Sequence, residues 1–267
     1  PNQNAAICDA LFRQSELRQH AGSVEQYALP VVRTIAARQV RAPGDPLDGA
    51  IPYRLSGNQV PIKFLPLCIA RCVPTLACAY DWTGDAAMLE AAWRAFAFIQ
   101  RWRNDDGSFP AVVYPGARSN QYPHWIAATG DVIRAAHALG ERGISTNVDA
   151  TWDWLLHGQD GSGGIASAHG FGSQVRQRPP HQPDVRDLLH VLGWCDKAFH
   201  ALALEATDVP PVDSPGGSEH VCGYRGRTLI LREDSTHVEI CHGREVRYRW
   251  RKGDDWPAIC APEFVLE

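Results

Sequence analysis

The chain has 267 residues, enough for one large domain or for one domain and a small appendage, and its 45% apolar and 21% charged residues are an ordinary globular composition. A net charge of −4 gives no global signal for a nucleic-acid partner. No apolar run reaches the roughly 18 residues that a membrane-spanning helix needs.

In chain order, a weak helical pattern covers about residues 6–20. Ser23-Val-Glu-Gln26 reads as a capping box opening a helix to about Gln39, which Pro43-Gly44-Asp45-Pro46 ends. A long helix is predicted from about Pro61 to Trp82; Thr83-Gly84-Asp85 stops it and caps the next. That next helix carries Met88, Leu89, Ala92, Trp93, Phe96 and Ile99 on one stripe and closes at Asn104-Asp105-Asp106-Gly107-Ser108-Phe109. Trp125 to about Leu139 and Ala150 to Leu156 read as further helices, the second closing at Gln159-Asp160-Gly161-Ser162-Gly163-Gly164. Asp184 caps a last helix reaching Glu205, with Asp187 favourable in its first turn.

The long helices carry a repeat. Arg71, Arg134 and Lys197 are spaced by 63 residues each, as are Leu76, Leu139 and Leu202; Gly130 matches Gly193, and His137 matches His200. A sustained period marks an array in which each helix pair buries its face on its neighbours. The expected fold is mainly α, an incomplete α/α toroid of antiparallel helix pairs over residues 1–208. The seven predicted helices are too few to close a ring. The chain is then a fragment, or a neighbouring copy completes the toroid, or the site is an open groove. Residues 209–219 read as a linker, and 220–267 as a small antiparallel β region with strands at Thr228–Leu231, His237–Cys241 and Val246–Trp250. In the last strand Val246, Tyr248 and Trp250 alternate with Arg247, Arg249 and Arg251, as in a half-buried strand with a solvated basic face.

The helix endings at Asn104–Phe109 and Gln159–Gly164 resemble the repeats of terpenoid cyclases and protein prenyltransferases, and equally the α/α toroids of polysaccharide lyases and glycoside hydrolases. Helices followed by a sheet are similar to the layout of heparinase-like and chondroitin-type lyases. Gly107-Ser108-Phe109-Pro110 with Val113-Tyr114-Pro115 is similar to a stretch of toroid pectate lyases. The resemblance covers about residues 60–205 and implies architecture. The aspartate-rich acid motif of triterpene cyclases and the zinc ligands of prenyltransferases are absent.

In a toroid the inner helices line the central cavity, so their polar residues carry the chemistry. Asp187, His190, Gly193, Lys197 and His200 share one face of the last helix; His124, Ala127, Gly130, Arg134 and His137 share the equivalent face before it, with Asp131 and Asp196 alongside. Such faces suit an anionic, uronate-containing oligosaccharide or polysaccharide. Elimination from a uronate needs a cation against the carboxylate, a base and an acid. Arg134 or Lys197 supplies the first, and His124, His190 or Tyr122 the others, while Tyr114, Trp125 and Trp194 stack on sugar rings and His137 and His200 line the cavity. The bland alternative makes Asp131–Arg134 and Asp196–Lys197 local pairs and Asp187 a cap. It also reads the aromatics around the loop at 115–120 as packing, and the Asp105-Asp106 and Asp160 endings as turn chemistry.

The leading expectation is therefore a lyase or glycoside hydrolase for an anionic saccharide. The alternatives are a cyclase-type enzyme with an apolar cavity and a non-catalytic carbohydrate-binding or assembly protein. Gly193-Trp194-Cys195 and Cys241-His242-Gly243 resemble the zinc motifs of lanthionine cyclases, which would make Cys195, Cys241 and His242 ligands; the main reading expects no metal and no cofactor. The eight cysteines form no paired motif and read as reduced thiols of a cytoplasmic protein, or of a secreted or periplasmic one if Pro1 is a processed end.

Overall fold

A computed structural model describes residues 2–18, 21–53, 63–158, 165–170, 192–205, 207–214, 217–224, 227–242 and 245–251. The chain is mainly α with small antiparallel sheets, and the helices pair as an incomplete α/α toroid. It divides into two compact units, with the division inside the last helix between His200 and Ala201. The expected boundary lies at residue 208.

In the helical unit, α1 (Asn2–Arg18) packs on α4 (Cys72–Thr83), and α4 packs on α6 (Gly130–Gly140). Gly130 then meets α8 (Leu192–Glu205) so closely that a Cβ there would lie 2.3 Å from the Lys197 carbonyl oxygen. A second row, α2 (Leu29–Ala37), α5 (Ala86–Arg101) and α7 (Asp149–His157), flanks these inner helices. Phe12, Val32, Ile69, Leu76, Ala95, Phe98 and Leu139 are buried between the rows. Each large apolar side chain so buried contributes about 1.5–3 kcal/mol.

The α4–α5 hairpin follows the sequence signals. Gly84 adopts φ 70° and donates its N–H to the Tyr80 carbonyl, and the Asp85 carboxylate accepts from the Ala87 N–H at 3.0 Å. The α5 ending is turn chemistry: Asp106 Oδ1 accepts from the Ser108 N–H and hydroxyl, at 2.9 and 2.6 Å. Gly107 takes φ 85°, and a Cβ there would sit 1.8 Å from the Ala150 carbonyl oxygen, so both the turn and the approach of α7 demand glycine. The second Asp-Gly ending, at 159–164, lies outside the described residues.

Four expectations need correction. Ser23 makes no side-chain cap; a π-helical turn at Val24–Ala28 leads into α2 instead. Trp93 on the predicted apolar stripe is 42% exposed and stacks on Phe96. The single helix expected from Pro61 is two pieces, α3 (Pro66–Ala70) and α4, parting at Arg71. Pro74 has no N–H to give the Ala70 carbonyl, and its ring crowds that position. The helix expected from Trp125 starts only at Gly130, because His124–Trp125 is a short strand (β3) and Ala127–Thr129 a 3-10 turn. Two more short strands, β1 (Val112–Tyr114) and β2 (Arg118–Asn120), make a hairpin of the expected 115–120 loop, and β3 pairs with β4 (Ala168–His169).

The C-terminal sheet is an antiparallel meander of β5 (Thr207–Ser214), β6 (Gly217–Tyr224), β7 (Arg227–Asp234), β8 (His237–His242) and β9 (Glu245–Arg251). The expected linker is thus largely strand. Pro210 and Pro211 fit because β5 is an edge strand and its register shifts between Val209 and Val212, where the ladder needs no N–H from them. A second shift, between Ile240 and Cys241, breaks the stripe in β9. Val246 pairs with Cys241 rather than continuing the face of Tyr248, and it is 45% exposed.

Candidate functional site

The repeat positions converge. Asp131, 2% exposed, sits one turn before Arg134 on α6. Its Oδ2 accepts from Arg71 Nε at 2.7 Å and lies 3.8 Å from Lys197 Nζ, while its Oδ1 is 3.4 Å from Arg134 Nη1. Three cations from successive inner helices therefore meet on one buried carboxylate, a burial tolerable only because the charge is compensated. Arg134 also reaches α1, with Nη2 3.7 Å from Asp9 Oδ2, and Arg13 Nε donates to the same oxygen at 3.2 Å. Beside this hub opens a cavity of about 290 Å³ lined by Ala6, Asp9, Arg71, Pro74, Asp131 and Arg134.

A second group surrounds His124. The Tyr122 ring stacks on the imidazole at 4.6 Å between centroids, and Trp154 meets it edge-on at 5.7 Å. Register places His124 opposite His169. Burial pushes the imidazole pKa down, Asp106 opposes that shift, and His169 adds to it. The His124 Nε2 is buried and has no hydrogen-bond partner among the described residues. The result is a neutral ring between two aromatic ones.

No protein-family model matches the chain, and no curated protein is similar to it. Solved structures similar to it include the unsaturated glucuronyl hydrolase responsible for the degradation of glycosaminoglycan from Bacillus sp. GL1, and a UGL variant with dGlcA-Glc-Rha-Glc. Each is 15% identical with a TM-score of 0.47, over 72% of this chain and 58% of the other. The chain thus spans little more than half the length of these structures.

Of the residues expected to form one site, the structure brings Asp131, Arg134 and Lys197 together. Tyr122 and His124 form their own cluster, since β3 takes His124 off the α6 face that was to join it to Arg134. His137 sits in the last turn of α6, 3.7 Å from Glu141, and His200 is half-buried on α8. Trp125 packs against the core, and its carbonyl accepts from Trp154 Nε1 at 3.2 Å. Tyr114 is half-buried in β1 opposite Arg118. Asp187 and His190 lie outside the described residues, as do the side chains of Trp194, Cys195, Asp196 and His242.

Cys241 is a buried free thiol whose pKa burial raises, and Cys8, Cys68, Cys72 and Cys78 are also free. Among the described residues no group of three His, Cys, Asp or Glu side chains is disposed around a metal position. Two charged cavity residues lie outside the site expected from the sequence. Arg71 was visible in the repeat but not assigned to the site, and Asp9 lies on a helix whose weak pattern gave no face. The i, i+3 spacing of Asp131 and Arg134 was the usable signal.

Proposed function

We propose that the protein is a carbohydrate-active enzyme for a uronate-containing oligosaccharide, a glycoside hydrolase or a lyase. The observation that carries this reading is the cavity lining: two carboxylates, Asp9 and Asp131, and two guanidiniums, Arg71 and Arg134, with no aromatic ring among the described residues. Charged walls suit a polyhydroxylated anion and argue against the cyclase alternative, whose carbocationic hydrocarbons need apolar, aromatic surfaces. Paired carboxylates are the usual equipment of glycoside hydrolysis, and cations against a sugar carboxylate that of β-elimination. Within this reading Arg71 and Arg134 build the cationic wall, with Lys197 against Asp131. Tyr122 and His124, the expected proton-transfer pair, form a separate cluster that does not line this cavity, and the neutral imidazole there is the form that accepts a proton at neutral pH.

The test is a panel of saturated and unsaturated oligosaccharides from alginate, pectate and glycosaminoglycans. Elimination raises ultraviolet absorbance, whereas hydrolysis releases reducing ends without that rise. Arg134→Ala is expected to abolish any turnover found. Silence across the panel overturns the enzyme reading, and binding without turnover replaces it with a carbohydrate-binding protein.

A further inference from the structure

The repeat supplies a cation on three successive inner helices but an acid on only one. By the 63-residue period, the equivalents of Asp131 are Cys68 and Trp194. Burial pushes the Cys68 thiol up, so it stays neutral and offsets none of the positive charge. Among the described residues Asp131 is the one carboxylate that Arg71, Arg134 and Lys197 share, and these cations are not equally engaged. Arg134 has one terminal nitrogen against Asp131 and the other against Asp9, whose second cation is Arg13. Lys197 is 7% exposed and does not line the cavity. Arg71 differs from both. Its Nε alone is held, by Asp131 Oδ2; among the described residues nothing hydrogen-bonds its Nη1 or Nη2. The side chain remains 26% exposed and lines the cavity.

A guanidinium pinned through Nε keeps its end-on edge, two parallel N–H donors spaced to match the two oxygens of a carboxylate. We propose that Arg71 is the specificity-determining residue of this cavity: its Nη1–Nη2 edge binds the carboxylate of a uronate sugar. Asp131 then positions the fork through Arg71 Nε. The proposal deepens, and rests on, the saccharide reading of the same cavity. It also changes which repeat member reads the anion, since Arg134 and Lys197 are occupied in holding the hub.

The experiment is equilibrium binding to the full chain of sodium glucuronate, glucose and a hexose phosphate, by calorimetry, for the wild type, Arg71→Lys and Arg71→Ala. The wild type is expected to prefer glucuronate over glucose by about tenfold or more, the scale of one charge-assisted bidentate contact. Arg71→Lys keeps the charge but loses the fork, so most of that preference goes; Arg71→Ala removes the rest. Circular dichroism identifies a variant that has not folded, and Arg71→Lys, the milder change, then decides. Full preference retained in Arg71→Lys overturns the proposal, as does wild-type protein that binds glucuronate no better than glucose. Tighter binding of the hexose phosphate than of glucuronate overturns the carboxylate assignment. If the preference depends on Arg71 but no saccharide is ever turned over, the enzyme reading falls and the carboxylate site stands.

Discussion

The hub around Asp131 and the charged row on the C-terminal sheet are made of the same ions under different conditions. On the sheet, register aligns Glu219, Arg232, Glu239 and Arg249 across β6 to β9, one acid for each base. Arg232 Nε donates to Glu219 Oε2 at 2.8 Å, and Arg249 Nη2 lies 2.5 Å from Glu239 Oε1, with Arg249 63% exposed. Among the described residues three bases share Asp131, which is almost wholly removed from water. Arg249 is mostly in water and Arg232 and Glu219 are partly so, and these balanced, screened pairs hold little energy. In the hub the acid cannot be lost without stranding cations, and the Nη edge of Arg71 is chemically available. Charge count separates the two as much as burial does.

The sharpest way to break this comparison is Asp131→Ala. Removing one partner of a buried ionic cluster leaves uncompensated charge and costs about 3–5 kcal/mol. Urea unfolding measures it, and a loss below about 1 kcal/mol, the scale of an exposed pair, would show that the hub is no different from the sheet. Gly130→Ala is the next largest. Its new Cβ meets the Lys197 carbonyl oxygen at 2.3 Å, so α8 must retreat from α6. Overpacking of this kind costs about 1–3 kcal/mol. If Lys197 matters to the hub, Arg134→Ala should cost less in the Gly130→Ala background than alone; strict additivity would place Lys197 outside the cluster's energetics.

How legible these regions were depends on what set them. The α4–α5 hairpin could be read because Gly84, Asp85 and the apolar stripe are local signals that agree. The convergence of residues 71, 134 and 197 was legible as a period, but not the division of labour within it. Which guanidinium is consumed depends on Asp9, brought in from α1 by tertiary packing. The strand at His124 spans two residues, too short for any period to register, so it was absorbed into the helix that follows. In β5 and β9 the signals misled. Two prolines look like a linker until the strand is known to be an edge, and the extra residue Arg247 inverts an alternation that looked regular.

His124 tests an intermediate case, one titratable ring partly buried, with Asp106 offsetting only part of the burial. Folding lowers its pKa, so the unfolded chain binds the proton more readily. Stability should therefore fall as pH drops through the ordinary histidine value of about 6.5, and recover above it. His124→Phe keeps a flat ring between Tyr122 and Trp154 and should flatten that slope in denaturant unfolding between about pH 5 and pH 8, the range in which histidine titrates. An unchanged slope assigns the effect to another group.

The smallest expected effect is Arg249→Ala on the sheet. The arginine is mostly in water, and its partner Glu239 keeps Arg232 as a neighbour on the adjacent strand. Loss of the contact should cost about 0.2–1 kcal/mol, and raising the salt should erase even that. The same salt series on Asp131→Ala should leave its deficit nearly intact, because screening ions do not enter a site 2% exposed. Equal salt sensitivity in the two variants would mean that water reaches Asp131, and the hub would then be a surface cluster whose imbalance of charge is met by solvent. Unequal sensitivity places the cations inside the fold, where an anion in the cavity beside Arg71 would meet them.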